Sequence, residues 1–260
     1  MAEHDTAKVR FDDVHIAFGP NRVLRGFDLE VAAGESVVVI GGSGSGKSVM
    51  LKCLLGLLRP QRGSIRVDGV EMPGAGAAER ARLRAKFGML FQNAALFDSL
   101  PVWENIAFGL IQGQGCPRPR ARQIALAQLA RVGLGEEVAE LGPAELSGGM
   151  RKRVGLARAM ATEPEILLFD EPTTGLDPIM GDAIDRLVVE CVRELGATAI
   201  SITHDMASAR RISDRIAMLY QGRVIWAGAV SEVDASGNAV VEQFVHGRAD
   251  GPIGFDVGVP

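Results

Sequence analysis

The chain has 260 residues, of which 47% are hydrophobic, and its formal net charge is −4. That length can bury a sizeable core, so we expect one large domain or one domain with a subdomain. A mildly acidic chain is a poor candidate for wrapping nucleic acid, because a basic face supplies most of that affinity. The sequence shows no signal-peptide pattern and no run of roughly 18 apolar residues that could span a membrane. We therefore expect a cytoplasmic protein without a nucleic-acid partner, with any membrane role supplied by other subunits.

The first half of the chain predicts strands alternating with a helix. An apolar run over 36–40 suits a strand that is buried on both faces of a parallel sheet. Helical spacing follows over 49–58, and we expect Pro60 to end that helix. Further strands are predicted over 9–18, 27–31 and 64–69.

The second half predicts a helical insertion followed by more of the α/β core. Apolar helix-like segments separated by a Gly/Pro-rich stretch indicate a helical subdomain over 93–159. Buried strands are then predicted over 165–170 and 198–204, with a helix over 183–195 between them. A hairpin is expected to turn at Gln221 and Gly222, and the chain after 235 is expected to form a tail rather than core. The tail's apolar residues, among them Phe244 and Phe255, either cover the chain's own surface or reach a neighbouring subunit.

A glycine-rich loop fits the phosphate-binding pattern G-x-x-x-x-G-K-[ST] between a predicted strand and a predicted helix. Its backbone N–H groups would form an anion cradle at a helix N-terminus. Lys47 would place a positive charge on the β- and γ-phosphates of ATP, and the Ser48 hydroxyl is small enough to ligate Mg²⁺. The alternative is a Gly/Ser-rich turn that only caps a helix. The residues predicted to bind nucleotide here are Gly41, Gly42, Ser43, Gly44, Ser45, Gly46, Lys47, Ser48 and Val49.

Two acidic residues, Asp170 and Glu171, end the second buried strand. Ligands of open α/β sheets lie at the carboxyl ends of the strands. Asp170 is therefore expected in the Mg²⁺ shell, and Glu171 is expected to polarise the attacking water. The alternative is a solvated strand end, which the upstream phosphate loop makes less favourable.

The stretch Leu146 to Met150, LSGGM, resembles the LSGGQ signature of ABC ATPases, and other elements of that family stand in the expected order. Singly, each has an ordinary structural explanation, and their joint order carries the resemblance. By that resemblance the adenine would stack on Phe18, the metal and water would meet Gln92, and the γ-phosphate would meet His204. Lys47, Glu171 and His204 are the expected catalytic residues, and Ser48, Gln92 and Asp170 the expected metal ligands. Asp177 resembles the aspartate of the D-loop.

The resemblance implies a phosphate-loop ABC ATPase core with a mainly parallel sheet, an antiparallel β subdomain and an inserted helical subdomain. It covers about residues 8–235. The implied division is one ATP-binding domain over 1–260, with its core at 8–92 and 160–235, the helical subdomain at 93–159 and the tail at 236–260.

In this family two subunits pack head to tail, with ATP between the phosphate loop of one and the signature of the other. Ser147, Gly148 and Gly149 would thus contact the γ-phosphate from the second copy, at a helix N-terminus. Hydrolysis would then open the homodimer. Met150 departs from the usual Gln, and we expect ATP use to survive because Ser147 and the glycines make the anion site.

Longer stretches, including GMLFQNAALFDSLPVWENIAFGL and DEPTTGLDPI, resemble the ATPase subunits of the Mla (MCE-associated) phospholipid transport system. That resemblance implies peripheral attachment to the cytoplasmic face of the inner membrane. The implied partners are an integral lipid permease, a periplasmic MCE-domain protein and often a small STAS-domain protein.

Three other functions are weighed against lipid transport. The runner-up is the ATPase of an importer for amino acids or other small solutes. A soluble ABC protein acting on ribosomes or DNA usually has two cassettes or a long coiled coil, and this chain has one phosphate loop and no sustained heptads. A non-catalytic regulator is disfavoured by the intact Lys47, Asp170, Glu171 and His204.

Overall fold

The computed structural model describes residues 7–72 and 74–254, which form two sheets and eight α-helices. The strands are β1 (Ala7–Phe18), β2 (Asn21–Ala32), β3 (Ser36–Ile40), β4 (Arg62–Val67), β5 (Val70–Glu71), β6 (Phe87–Leu90), β7 (Ile166–Asp170), β8 (Thr198–Thr203), β9 (Arg215–Tyr220) and β10 (Arg223–Ala229). The α-helices are α1 (Lys47–Leu54), α2 (Ala77–Arg84), α3 (Val102–Phe108), α4 (Arg118–Arg131), α5 (Gly148–Met160), α6 (Pro178–Leu195), α7 (Met206–Ile212) and α8 (Ala239–Val245).

The larger sheet has six strands in the order β10-β9-β3-β8-β7-β6, and it is parallel except for β10 at its edge. The apolar runs of β3, β7 and β8 are buried, as expected for strands of a parallel sheet that is covered on both faces. The hairpin between β9 and β10 turns at Gln221 and Gly222, both with positive φ (49° and 80°). The predicted α/β core with a mainly parallel sheet is confirmed.

The smaller sheet is antiparallel, with the order β2-β1-β4-β5. The rings of Phe11 and Phe27 meet edge to face across β1 and β2, with centroids 5.1 Å apart. Both rings belong to an apolar cluster that also contains Leu51 of α1 and Ile166 of β7. The predicted antiparallel β subdomain is therefore present, and its core is continuous with that of the larger sheet.

Helices α3, α4 and α5 lie between β6 and β7 in the chain and pack against one another. The helix α3 continues as a π-helical turn over Gly109–Gly113. Fully buried side chains such as Ile106, Leu129 and Val154 join these helices to the larger apolar cluster. The inserted helical part of the predicted fold is thus present, while the proposed domain boundaries remain a prediction.

The predicted end of the first helix is wrong, because α1 stops at Leu54 instead of continuing to Leu58. Gly56 adopts the left-handed conformation (φ 64°), and its N–H donates to the Cys53 carbonyl oxygen. A glycine in this conformation ends a helix in the usual way, whatever apolar residues follow.

The prediction that the chain after residue 235 forms a tail rather than core is wrong at Val241, which belongs to the core. Asn238 caps α8 by accepting hydrogen bonds from the N–H groups of Val240 and Val241. The side chain of Val241 is fully buried in the larger apolar cluster. The described part of the tail therefore covers the chain's own core, as the first of the two alternatives expected. Phe255 lies outside the described residues.

We predict that Val241→Ala lowers the free energy of unfolding by about 1.5–3 kcal/mol, because it removes two buried methyl groups and leaves a cavity. Thermal or denaturant unfolding would measure the change, with Val70→Ala as the exposed control. An unchanged midpoint for Val241→Ala would contradict the docking of α8.

Among the helices within the described residues, none is long and apolar enough to cross a membrane.

Candidate active site

The carboxyl ends of β3, β7 and β8 meet at one edge of the sheet, where an open cleft of about 520 Å³ lies. The phosphate loop connects β3 to α1 along one wall of this cleft. Most residues that the sequence singled out are brought together here. The lining residues are Phe18, Val23, Ser43, Gly44, Ser45, Gly46, Lys47, Ser48, Val49, Gln92, Asp170, Glu171 and His204.

The glycines of the phosphate loop are required by its geometry at two positions. Gly46 has φ 109° and precedes the first turn of α1, where a Cβ would lie 3.0 Å from Val23 Cγ1. A Cβ on Gly41 would lie 2.4 Å from the Leu219 carbonyl oxygen. The N–H groups that begin α1 have no intrahelical acceptors and remain to bind an anion.

Lys47 lies across the mouth of this loop, and its ammonium donates to the carbonyl oxygens of Gly41 (2.6 Å) and Gly42 (3.0 Å). Burial lowers the pKa of Lys47, while the charges of Glu171 and Asp170 act in the opposite direction. Ser45 Oγ is buried in the same loop, and among the described residues it has no hydrogen-bond partner. The Lys47 ammonium bonds to backbone carbonyls, and the Ser45 hydroxyl is buried without a partner among the described residues. Both groups could donate hydrogen bonds to a phosphate group.

Glu171 follows β7 with a left-handed backbone (φ 50°), and its side chain enters the cleft with 8% exposure. Its carboxylate accepts hydrogen bonds from Thr174 Oγ1 (2.9 Å) and pairs with His204 Nδ1 (2.8 Å). Burial raises the pKa of the neighbouring Asp170, and the charge of Glu171 raises it further. This arrangement can hold a water or hydroxyl next to a paired carboxylate and imidazole.

The predicted metal ligands are a hydroxyl (Ser48), an amide (Gln92) and one carboxylate (Asp170), and all three line the cleft. No group of three His, Cys, Asp or Glu side chains suited to a metal ion occurs in the described ranges. All three donors are oxygen atoms, and burial raises the pKa of the carboxylate, Asp170. This donor set fits a hard cation such as Mg²⁺, which keeps several of its waters.

The signature residues Ser147, Gly148 and Gly149 do not line the cleft of their own chain. Ser147 caps α5, and its Oγ accepts a hydrogen bond from the Met150 N–H at 3.2 Å. Asp177 likewise caps α6 and lies outside the cleft lining. Gly41 and Gly42 are also outside the lining, although both carbonyls hold Lys47.

Sequence reasoning missed Lys152, which follows the signature on α5. Its ammonium donates to the carbonyl oxygens of Gln92 and Glu171, the latter at 3.0 Å. Thr174 and Thr203, which face the Glu171 carboxylate, were missed as well. The only signal in the sequence was a basic run, Arg151 to Arg153, of which Lys152 alone is buried.

Comparison with known proteins gives the class of this chain. The model of the ABC transporter family matches residues 24–174. A solved dimeric ATP-binding cassette in a post-hydrolysis state, bound to ADP and phosphate, is 33% identical and superposes with a TM-score of 0.78. The match covers 85% of this chain and 98% of that one. The chain has the ABC ATPase fold.

The chain belongs to the ABC transporter family as one of its ATP-binding cassettes. It is 42% identical to the probable ribonucleotide transport ATP-binding protein mkl of Mycobacterium tuberculosis, over 92% of this chain and 66% of that protein. It is 39% identical to the chloroplastic protein TRIGALACTOSYLDIACYLGLYCEROL 3 of Arabidopsis thaliana, over 94% of this chain and 74% of that protein. It is 42% identical to the methionine import ATP-binding protein MetN of Caulobacter vibrioides, over 86% of this chain and 68% of that protein.

Proposed function

We propose that this chain is the ATP-hydrolysing subunit of an ABC transporter that moves phospholipid between the inner and outer membranes and so maintains outer-membrane lipid asymmetry. The observation that supports ATP hydrolysis is that the phosphate loop and the paired Glu171 and His204 line the same cleft. A phosphate cradle without a positioned carboxylate would only bind nucleotide.

In the proposed reaction the phosphate loop and Lys47 bind the β- and γ-phosphates, and Phe18 stacks on the adenine. Phe18 is 49% exposed at the cleft edge, as a platform for a ligand requires. Glu171 orients the attacking water and accepts its proton, while His204 holds the carboxylate from the other side. Ser48, Asp170 and Gln92 would hold Mg²⁺, which supplies charge neutralisation at the phosphates.

The proposed active form is a homodimer, because the cleft of one chain lacks the signature donors. Ser147, Gly148 and Gly149 lie outside the cleft lining; Ser147 and Gly148 are exposed, whereas Gly149 is buried. A second copy, packed head to tail, would bring these donors to the γ-phosphate. The four groups Ser147, Gly148, Gly149 and Asp177 are therefore assigned to the composite site.

The proposed membrane permease would bind at a second surface, the aromatic groove lined by Phe87, Phe91, Phe97 and Phe108. Phe91 and Phe97 are about 40% exposed and line this groove together with the other two rings, and a contiguous apolar patch of this kind marks an interaction site. Phe91 directly precedes Gln92, so a partner in this groove would touch the loop that also lines the nucleotide cleft. Attachment there would place the chain on the cytoplasmic face of the membrane.

Two observations favour a lipid as the transported substrate. The matching Arabidopsis protein bears the name of a galactolipid, and its match covers nearly the whole of this chain. The sequence stretches around Gln92 and Asp177 also resemble the Mla phospholipid system. A periplasmic MCE-domain protein and a STAS-domain protein are the further partners that this proposal includes.

A small-solute importer is the second candidate, and the names of other relatives favour it. MetN is named for methionine, and mkl for ribonucleotides. These proteins are about as similar to this chain as the lipid-named relative is, so sequence identity does not separate the two functions.

Purification of the native membrane complex separates the two candidates. For the lipid proposal, mass spectrometry should find an MCE-domain subunit and bound phospholipid, and ATP turnover should depend on the phospholipid content of the reconstituted membrane. A solute-binding protein in the complex, with turnover stimulated by methionine or a nucleotide, would overturn the lipid proposal.

A further inference from the structure

Helix α5 carries two cations that hold loops of the cleft, a buried lysine and a half-buried arginine. Lys152 is 5% exposed, and its ammonium donates to the carbonyl oxygens of Gln92 and Glu171. Arg158, two turns further along, donates to the carbonyl oxygens of Ala94 and Ala95, the latter at 2.7 Å. The helix that begins at the signature residue Ser147 is therefore bonded directly to the Gln92 loop and to the end of β7.

The backbone at these contacts is strained. Glu171, Ala94 and Ala95 all have left-handed φ values (50°, 58° and 48°) although none is a glycine. This conformation is unfavourable for a residue other than glycine and persists only where the surroundings fix it. The two cations supply fixed donors at, or next to, each of these three positions.

The environment of Lys152 is unfavourable for a side chain with only a packing role. Burial lowers the pKa of its ammonium to about 8, although the charges of Asp170 and Glu171 act in the opposite direction. Its hydrogen-bond partners are two backbone carbonyls, and residues 7–72 and 74–254 give it no ion pair. Burying a charge in this way is costly. A methionine would fill nearly the same space at a lower desolvation cost. We therefore attribute the presence of an ammonium group here to the two carbonyl oxygens that it binds.

We propose that Lys152 is a positioning residue for ATP hydrolysis: by bridging the carbonyls of Gln92 and Glu171, it fixes the direction of the Glu171 carboxylate and couples the Gln92 loop to the signature helix. The inference rests on the proposed hydrolytic role of Glu171. In Lys152→Met, Arg158 still anchors the loop at Ala94 and Ala95, so the fold is expected to persist.

The test compares Lys152→Met with Lys152→Arg in the full chain. The Met variant replaces the apolar stem of the lysine and removes its donors, so kcat for ATP should fall about tenfold or more while nucleotide affinity stays within about twofold. The Arg variant restores donors and should recover a substantial part of kcat. Lys86→Met is the matched control, since Lys86 pairs with Asp68 and Glu165 away from the cleft.

Two results would overturn the inference while leaving the proposed function in place. One is a wild-type kcat in Lys152→Met when Glu171→Gln is inactive. The other is a loss confined to nucleotide affinity or to the melting temperature, without recovery by Arg. If Lys152→Met fails to fold, Lys152→Gln, which keeps an amide donor, decides by the same comparison of kcat and affinity. Normal turnover in Glu171→Gln would instead remove the proposed function and this inference with it.

Discussion

Glu171→Gln should leave ATP binding intact and reduce turnover by about 10²–10⁴-fold, the usual loss when a general base is removed. The amide has nearly the same shape as the carboxylate and can still bond to Thr174, so the cleft should keep its geometry. Unlike the carboxylate, it cannot act as a base that takes the proton of the attacking water. Steady-state phosphate release would measure the loss, and nucleotide titration would show the retained binding.

The same variant should accumulate a dimer in ATP, because the bound nucleotide is no longer cleaved. Size-exclusion chromatography with and without ATP would show the shift. Glu190→Gln, an exposed carboxylate on α6, is the matched control and should behave as the parent chain does. Phosphate release at the parent rate in Glu171→Gln would remove this residue from the reaction.

Ser147→Arg and Lys47→Ala should each abolish most hydrolysis alone, for different reasons, and should partly complement each other when mixed. Lys47→Ala deletes the charge that faces the phosphates, so nucleotide affinity itself should fall. Ser147→Arg leaves the cleft of its own chain intact, so binding to the monomer should be retained. The bulky side chain would instead block the γ-phosphate across the dimer interface.

A mixed dimer built in the proposed way has one site with both substitutions and one site with neither. With equal amounts of the two variants, half of the dimers are mixed, so about one quarter of the parent activity should return if the sites act independently. Activity at the level of either variant alone, in a sample shown to contain mixed dimers, would count against composite sites.

The residues that line the cleft could be singled out from the sequence because their motifs are local. The phosphate loop, the acidic pair and His204 each lie at the end of a strand that an apolar run made visible, and parallel strands bring such ends to one edge. The proximity of these motifs in the fold therefore follows from the alternation of strands and helices along the chain. The roles of the residues remain predictions that the variants above test.

The elements that were missed depend on contacts distant in the chain or on short segments. β6 has four residues and includes a glycine, so its pattern is too brief to separate from a loop. Lys152 binds the carbonyls of Gln92 and Glu171, which are about 60 and 19 residues away in the chain. No local sequence pattern predicts contacts at such separations. The helix α8 was missed because its packing against the core, rather than its composition, stabilises a seven-residue segment.

The placement of Ser147 outside the cleft of its own chain ties ATP consumption to assembly. For the proposed dimer, the fraction of paired cassettes in dilute solution rises with chain concentration, so the rate per molecule rises too. Two cassettes held on one permease experience a far higher effective concentration, in the millimolar range for short tethers. Cassettes that have not joined a transporter would then hydrolyse little ATP, and hydrolysis would be confined to complexes able to perform transport.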